Sequence, residues 1–283
     1  MPTPRLRFAL LLTCSLTSFT FTSPRGRAAT DDGVEQRILA VAQKAAVRQH
    51  EWKQFGEEDV PGHGPIGYTK GMALAYADAY RRLKRLLPDA YVKEMARPVS
   101  AGKPQDALYV FRARFAALGM PVEAGGVETL RALFTLLYEM GLRESDGQYD
   151  EGIDTGENKP RTDIEDPAST AEAGLFQSSW NFAEDYPLLR RLYADYATGK
   201  KPGLGEVFRE GMKPKRTKDH GGGDGAKFQR LAKDNPAFAV EYAALSVRDQ
   251  GEENYHFIHH RHLEISPKAA ELFRQVEVIV DAE

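Results

Sequence analysis

The chain has 283 residues, 42% of them hydrophobic and 28% charged, a globular composition that excludes disorder throughout. Its formal charge is −3, yet all four basic residues before Asp31 (Arg5, Arg7, Arg25, Arg27) lie in a segment expected to be removed, which takes the remainder to −7. Such an acidic protein is excluded from general binding to nucleic-acid phosphates, though a local basic patch is not.

Residues 1–29 read as an export signal. Arg5 and Arg7 form a positive start, residues 8–21 are an apolar run diluted with Ser and Thr, and Ala28-Ala29 offer a cleavage site. A periplasmic or secreted location follows as an expectation. The run is too short and hydroxyl-rich to span a bilayer, and no later segment approaches spanning length. Cys14, the only cysteine, lies inside it, and Thr13 before it fits a lipid anchor poorly. Residues 30–283 therefore read as one cysteine-free domain, without disulfide, thiol nucleophile or thiolate metal site, held together by its core.

That domain reads as mainly α-helical. Over 34–55, Ile38, Val41, Ala42 and Ala45 recur at helical spacing, with Trp52 and Phe55 further on, and a Gly/Pro-rich turn at 61–67 ends the element. A second helix is expected over 69–87, with Thr69 as N-cap, Pro88 as stop, Met72, Leu74, Ala75, Tyr76, Ala79, Leu83 and Leu86 inward and the basic residues outward. A third runs over 105–118. After Gly125-Gly126 a fourth carries Val127, Leu130, Leu133, Phe134, Leu137, Tyr138 and Leu142, a stripe wide enough for a core helix. The N-terminal helices span 33–118 and the catalytic core begins at about 125. From 143 to 171 the periodicity stops in a long, acidic, turn-rich loop. Helices then follow at 186–196, 226–233, 236–248 with Pro at its first position, and 267–280. A Lys/Gly-rich connection at 199–225, with a short helix near 206–210, reads as a mobile connector. No repeat and no strand run is evident.

The chemistry-bearing feature is how the fourth helix ends. It delivers Glu144 at its C-terminal edge, followed by Ser145-Asp146-Gly147 and the acidic loop. The chain then reads Ala171-Glu172-Ala173-Gly174-Leu175-Phe176-Gln177-Ser178-Ser179-Trp180-Asn181. A carboxyl desolvated at an apolar helix end has a raised pKa, as a general acid for glycosidic cleavage requires. Gly174 lets backbone approach a ligand. Gln177, Ser178 and Asn181 supply neutral hydrogen-bonding groups and Trp180 a stacking face, a set that suits a sugar chain.

Glu144-Ser145 at a helix end with a later Ala-Gly-Leu-Phe-Gln resembles the lysozyme-like superfamily, notably lytic transglycosylases and goose-type lysozymes. The resemblance covers about 137–181. It implies a helical domain with a groove between lobes, a peptidoglycan or related β-1,4 glycan partner and no cofactor. By position it makes Glu144 the acid and Ser145 its neighbour, with Gly174, Leu175, Phe176 and Gln177 lining the groove. Phe176 replaces the usual Met, and the 33-residue gap from Glu144 to Gln177 carries an insertion. Goose-type enzymes keep a carboxylate shortly after the Gln, where this chain has Ser178 and Ser179. An inverting hydrolase needs a second carboxylate to hold a water. Asp150, Asp154 and Asp163 are candidates from the loop, with Asp154 the working choice. Transglycosylases manage with one acid, so the pattern leans their way. Glu241-Tyr242-Ala243-Ala244 is the nearest match to a later transglycosylase motif and makes Tyr242 a groove candidate.

Other readings stand beside this one. A non-catalytic relative would keep the groove without the chemistry, and a related glycosidase would act on chitin or chitosan. His256, His259, His260 and His262 suggest an exported metal-binding protein only if they converge, and the default is surface histidines with no metal. Asp150, Asp154 and Glu157 offer oxygen ligands for calcium but lack the alternation of an EF-hand, so a solvated loop is preferred. The basic stretch 200–218 offers a contact to anionic cell-wall polymers.

Overall fold

The computed structural model describes residues 25–45, 65–100, 105–153, 167–215, 217–250, 263 and 265–283, with side chains from Gly33 onward. Among these the regular structure is helical, with one isolated bridge between Ala173 and Ser178. The helices are α1 (Arg25–Lys44), α2 (Ile66–Lys84), α3 (Ala90–Met95), α4 (Ala107–Ala117), α5 (Val127–Ser145), α6 (Pro187–Ala197), α7 (Gly205–Phe208), α8 (Gly223–Asp234), α9 (Pro236–Asp249) and α10 (Pro267–Asp281), with a 3-10 turn at Trp180–Ala183. None is long and apolar enough to cross a membrane among the described residues.

The mainly α expectation holds, and the apolar stripe of α5 is buried from Leu130 to Leu142, with Val127 half-buried at its start. The helix predicted from residue 34 begins earlier, at Arg25, and runs through Ala28-Ala29. Val34, Ile38 and Ala42 are its buried side chains among the described residues. Trp52 and Phe55 lie outside the described residues.

Three expectations for α2 are corrected. Thr69 is not the N-cap: the helix starts at Ile66 after Pro65, and Thr69 Oγ1 instead meets Tyr138 Oη at 2.8 Å inside the core. The helix also stops at Lys84, because Arg85 turns extended, and this leaves Leu86 97% exposed rather than buried. Arg82 points inward. It is drawn there by Glu241, a carboxylate on the buried helix α9. The six-residue α3, capped by the Asp89 carboxylate on Val92 N at 2.9 Å, is too short for periodicity to reveal. The 199–225 connection is likewise not a loose strap. Phe208 is buried against Gly71, and Gln229 of α8 accepts from His220 N (2.7 Å) and donates to His220 O (3.1 Å) and Ala168 O (3.3 Å).

Two aromatic clusters organise the core. Tyr76 of α2 meets Phe134 of α5 and Phe273 of α10 at ring-centroid distances of 5.1 and 4.8 Å. Phe228 of α8 meets Phe238 and Tyr242 of α9 at 5.6 and 4.8 Å, and Trp180 packs on Tyr193 of α6 at 5.0 Å. Such pairs contribute about 0.5–1.5 kcal/mol each beyond their burial.

Helix α9 is buried from Pro236 to Arg248, so its charged residues must find partners inside. Glu241 accepts from Arg82 Nη2 (3.0 Å), from Tyr196 Oη (2.9 Å) and from Lys201 Nζ, 2.6 Å from each carboxylate oxygen. Arg248, fully enclosed, lies 3.2 Å from Asp106 and donates to Arg97 O at 2.6 Å. Burial pulls its guanidinium down to about 10 against the opposing pull of Asp106, and it stays cationic at neutral pH. Asp106 also caps α4 by accepting from Leu108 N at 3.1 Å. Asp106→Ala is therefore expected to destabilise the fold by about 3–5 kcal/mol, because it leaves Arg248 buried without its carboxylate. Urea unfolding measures this against the exposed control Asp224→Ala, expected within about 0.5 kcal/mol of the unsubstituted protein.

Candidate active site

Helix α5 ends through the turn Ser145-Asp146-Gly147. Asp146 adopts a left-handed conformation (φ 54°), its N–H donating to Leu142 O at 3.0 Å and the Gly147 N–H to Gly141 O at 3.0 Å. This paired C-terminal closure satisfies carbonyls that the helix leaves open. The helix end is braced from beneath by Tyr68, whose buried hydroxyl donates to Tyr138 O at 2.8 Å. Gly141 is required there, since a Cβ would sit 2.4 Å from Tyr68 Oη.

Ser145 then joins this end to the distant turn. Its Oγ lies 2.9 Å from Leu175 O and 3.0 Å from Gly141 O, so one proton serves two carbonyls. The turn is tight: Ala173 N donates to Ser178 O at 3.0 Å, and Gln177 N to Gly174 O at 3.2 Å. Gly174 N reaches back to Glu151 O at 2.8 Å. Glu144, half-buried, is the residue that precedes Ser145 at this helix end. Arg143 next to it feels the Glu144 charge, which raises its guanidinium pKa, although burial outweighs this and lowers it overall.

The predicted residues divide into two groups. Ser145, Gly174, Gln177 and Ser178 come together at the α5 end. Leu175 and Phe176 belong to the same turn, but their side chains are in the core, so only their backbone faces outward tasks. Gly174 has a fold reason for its identity. It holds φ 76°, and a Cβ would approach Ala232 O of α8 to 3.1 Å. Gln177 also sits at positive φ (43°); its Nε2 donates to Gly174 O at 3.0 Å, while its Oε1 is buried with no hydrogen-bond partner. An orphan acceptor in a native turn needs an explanation, and a ligand donor is one. Trp180 is half-buried against Tyr193 and Phe228, more a packing piece than an open stacking face. Asn181 accepts from Ser179 Oγ at 2.5 Å, and its N–H donates to Ser169 O at 2.9 Å.

Tyr242, expected to line a groove, is fully buried. Its hydroxyl donates to Ser179 O at 2.9 Å and so anchors the far end of the segment to α9. Asp154 and Asp163 lie outside the described residues, as do the four histidines at 256–262. Asp150 is described: it is buried in the turn after α5 and accepts a hydrogen bond from the Gln148 amide. Among the described residues no cluster of His, Cys, Asp and Glu forms a metal site. A cleft of about 420 Å³ between α1 and α10, lined by Val41, Leu272 and Gln275 among others, includes none of the predicted site residues.

Sequence reasoning missed Gln148, Tyr68 and Gln229. Gln229 had a signal, a polar residue on the inward stripe of α8 with Ala226 and Lys233. Tyr68 had none, and the bond from Gln148 to Lys213 O had none, because those partners lie more than sixty residues away in the chain.

Comparison with protein-family models, with curated proteins and with solved structures finds no match.

Ser145→Ala removes the donor to Leu175 O and leaves that buried carbonyl without its partner. A loss of about 1–3 kcal/mol in chemical unfolding is expected, with faster hydrogen exchange over 173–178 than in α9. Unchanged exchange there would mean that the turn is held by its other contacts alone.

Proposed function

We propose that this chain is an exported, lysozyme-like glycosidase that cleaves the β-1,4 glycan of peptidoglycan, with Glu144 as general acid/base. The observation that carries the reading is the hydrogen bond from Ser145 Oγ to Leu175 O. It joins the two short motifs on which the lysozyme-like resemblance rests, although 30 residues separate them in the chain. The apolar segment with its Arg5 and Arg7 start supports export.

In this reading the Glu144 carboxyl gives its proton to the glycosidic oxygen as the C–O bond breaks, and charge develops on the departing anomeric carbon. Two completions fit the residues. A transglycosylase lets the sugar's own hydroxyl attack while Glu144 takes that proton back, so no second carboxylate is needed. A hydrolase needs a carboxylate to activate water, from Asp150 in the turn after α5 or from Asp154. The orphan Oε1 of Gln177 is suited to accept from a sugar hydroxyl or an N-acetyl N–H.

The test is incubation of the purified protein and its Glu144→Gln variant with purified peptidoglycan, with products read by mass spectrometry. Release by the unsubstituted protein and a fall of at least about a hundredfold in the variant are expected. Anhydro products identify a transglycosylase and reducing ends a hydrolase. Binding without release would favour the non-catalytic glycan-binding relative.

A further inference from the structure

One basic run takes no part in the reading above. Residues 211–218 carry Lys213, Lys215, Arg216 and Lys218 and no acid, in a chain whose net charge is negative. On a loose connector such a run would simply face solvent. Here its backbone is pinned to the turn that follows Glu144-Ser145. Lys213 O accepts from Gln148 Nε2 at 3.2 Å, and Thr217 Oγ1 donates to Asp150 O at 3.4 Å. Thr217 O accepts from Lys233 Nζ at 2.7 Å, and Asp219 pairs with the same ammonium at 2.7 Å. The backbone at Lys213 and Thr217 is thus held next to the turn that follows α5, with Lys213 and Lys218 exposed on either side.

The nearby acids are already engaged. Glu210 pairs with Lys70, Asp219 with Lys233 and Arg230, and Glu151 with Lys215. Lys213 and Lys218 are exposed, and among the described residues no carboxylate pairs with either. Two unanswered ammonium groups at the edge of a glycan site select for negative charge on the polymer. Lysine is a point charge on a flexible stem, suited to carboxylates carried on mobile appendages rather than to one rigid group.

We infer that Lys213 and Lys218 form a cationic rim that recognises carboxylates borne by the glycan substrate, and that a glycan of free amines such as chitosan is disfavoured. The inference rests on the reading of Glu144 and the 174–178 turn as a glycan site.

It is tested by co-sedimentation of the full chain in a Glu144→Gln background, which leaves the polymer intact, with insoluble peptidoglycan at low and high salt. Lys213→Ala/Lys218→Ala is expected to bind about fivefold more weakly at low salt, and Lys213→Arg/Lys218→Arg to bind normally. The difference is expected to vanish in about 1 M salt, where screening is nearly complete, and on peptidoglycan whose carboxylates have been amidated. Equal sedimentation of the alanine and parent proteins at low salt would overturn the rim, as would tighter binding to chitosan than to peptidoglycan. Product release by the protein with Glu144 intact is scored separately. Release with no lysine effect upholds the glycosidase and rejects the rim, whereas a lysine effect without release upholds the rim on a binding protein.

Discussion

Ser145 is where two parts of the chain 30 residues apart in sequence are joined. Its hydroxyl sits at the last turn of α5, where helix carbonyls run short of donors, and it reaches the one carbonyl of the 174–177 turn that faces it. The contact works only if both sides are rigid. On the helix side, Tyr68 under Gly141 fixes the last turn, and the left-handed Asp146 closes it. On the other side, Gly174 supplies a positive φ close against Ala232, and Tyr242 clamps Ser179. Glu144, half-buried, precedes Ser145 on the helix end that this bracing fixes.

The scaffold beneath has accepted charge inside itself. Helix α9 is enclosed on every side, yet it contains Glu241 and Arg248, each of which would be prohibitive to bury alone. Each is answered from several elements: Glu241 from α2, α6 and the residues after α6, Arg248 from the cap of α4 and the end of α3. These networks fix which face of α9 meets which neighbour. They therefore fix where Tyr242 holds the site segment and where Phe238 and Phe228 close the second aromatic cluster.

Much of this was legible along the chain, where local rules apply. The α5 stripe, the Pro236 start of α9 and the Pro267 start of α10 are periodicity and capping signals, and the helices lie where those signals put them. The sequence also set the segments around Ser145 and Leu175 side by side as one feature, and a hydrogen bond joins them. What escaped was decided by distant partners. Arg82 looked like an outward basic residue until Glu241 drew it in, and Tyr242 looked like a groove residue while its hydroxyl was needed at Ser179. The stretch 199–225 looked mobile because glutamines and carbonyls, which carry no pattern, hold it. Leu86 failed for a local reason, an early extended turn at Arg85 ahead of Pro88.

The placement of Glu144 at a glycan site is tested most directly by a crystal structure of the Glu144→Gln protein with a bound β-1,4-linked N-acetylated oligosaccharide. The expected result is a chain of sugars crossing the end of α5, with the residue-144 amide within hydrogen-bonding distance of a glycosidic oxygen and Gln177 Oε1 accepting from the ligand. Sugars bound elsewhere on the surface, with the 174–178 turn untouched, would contradict it.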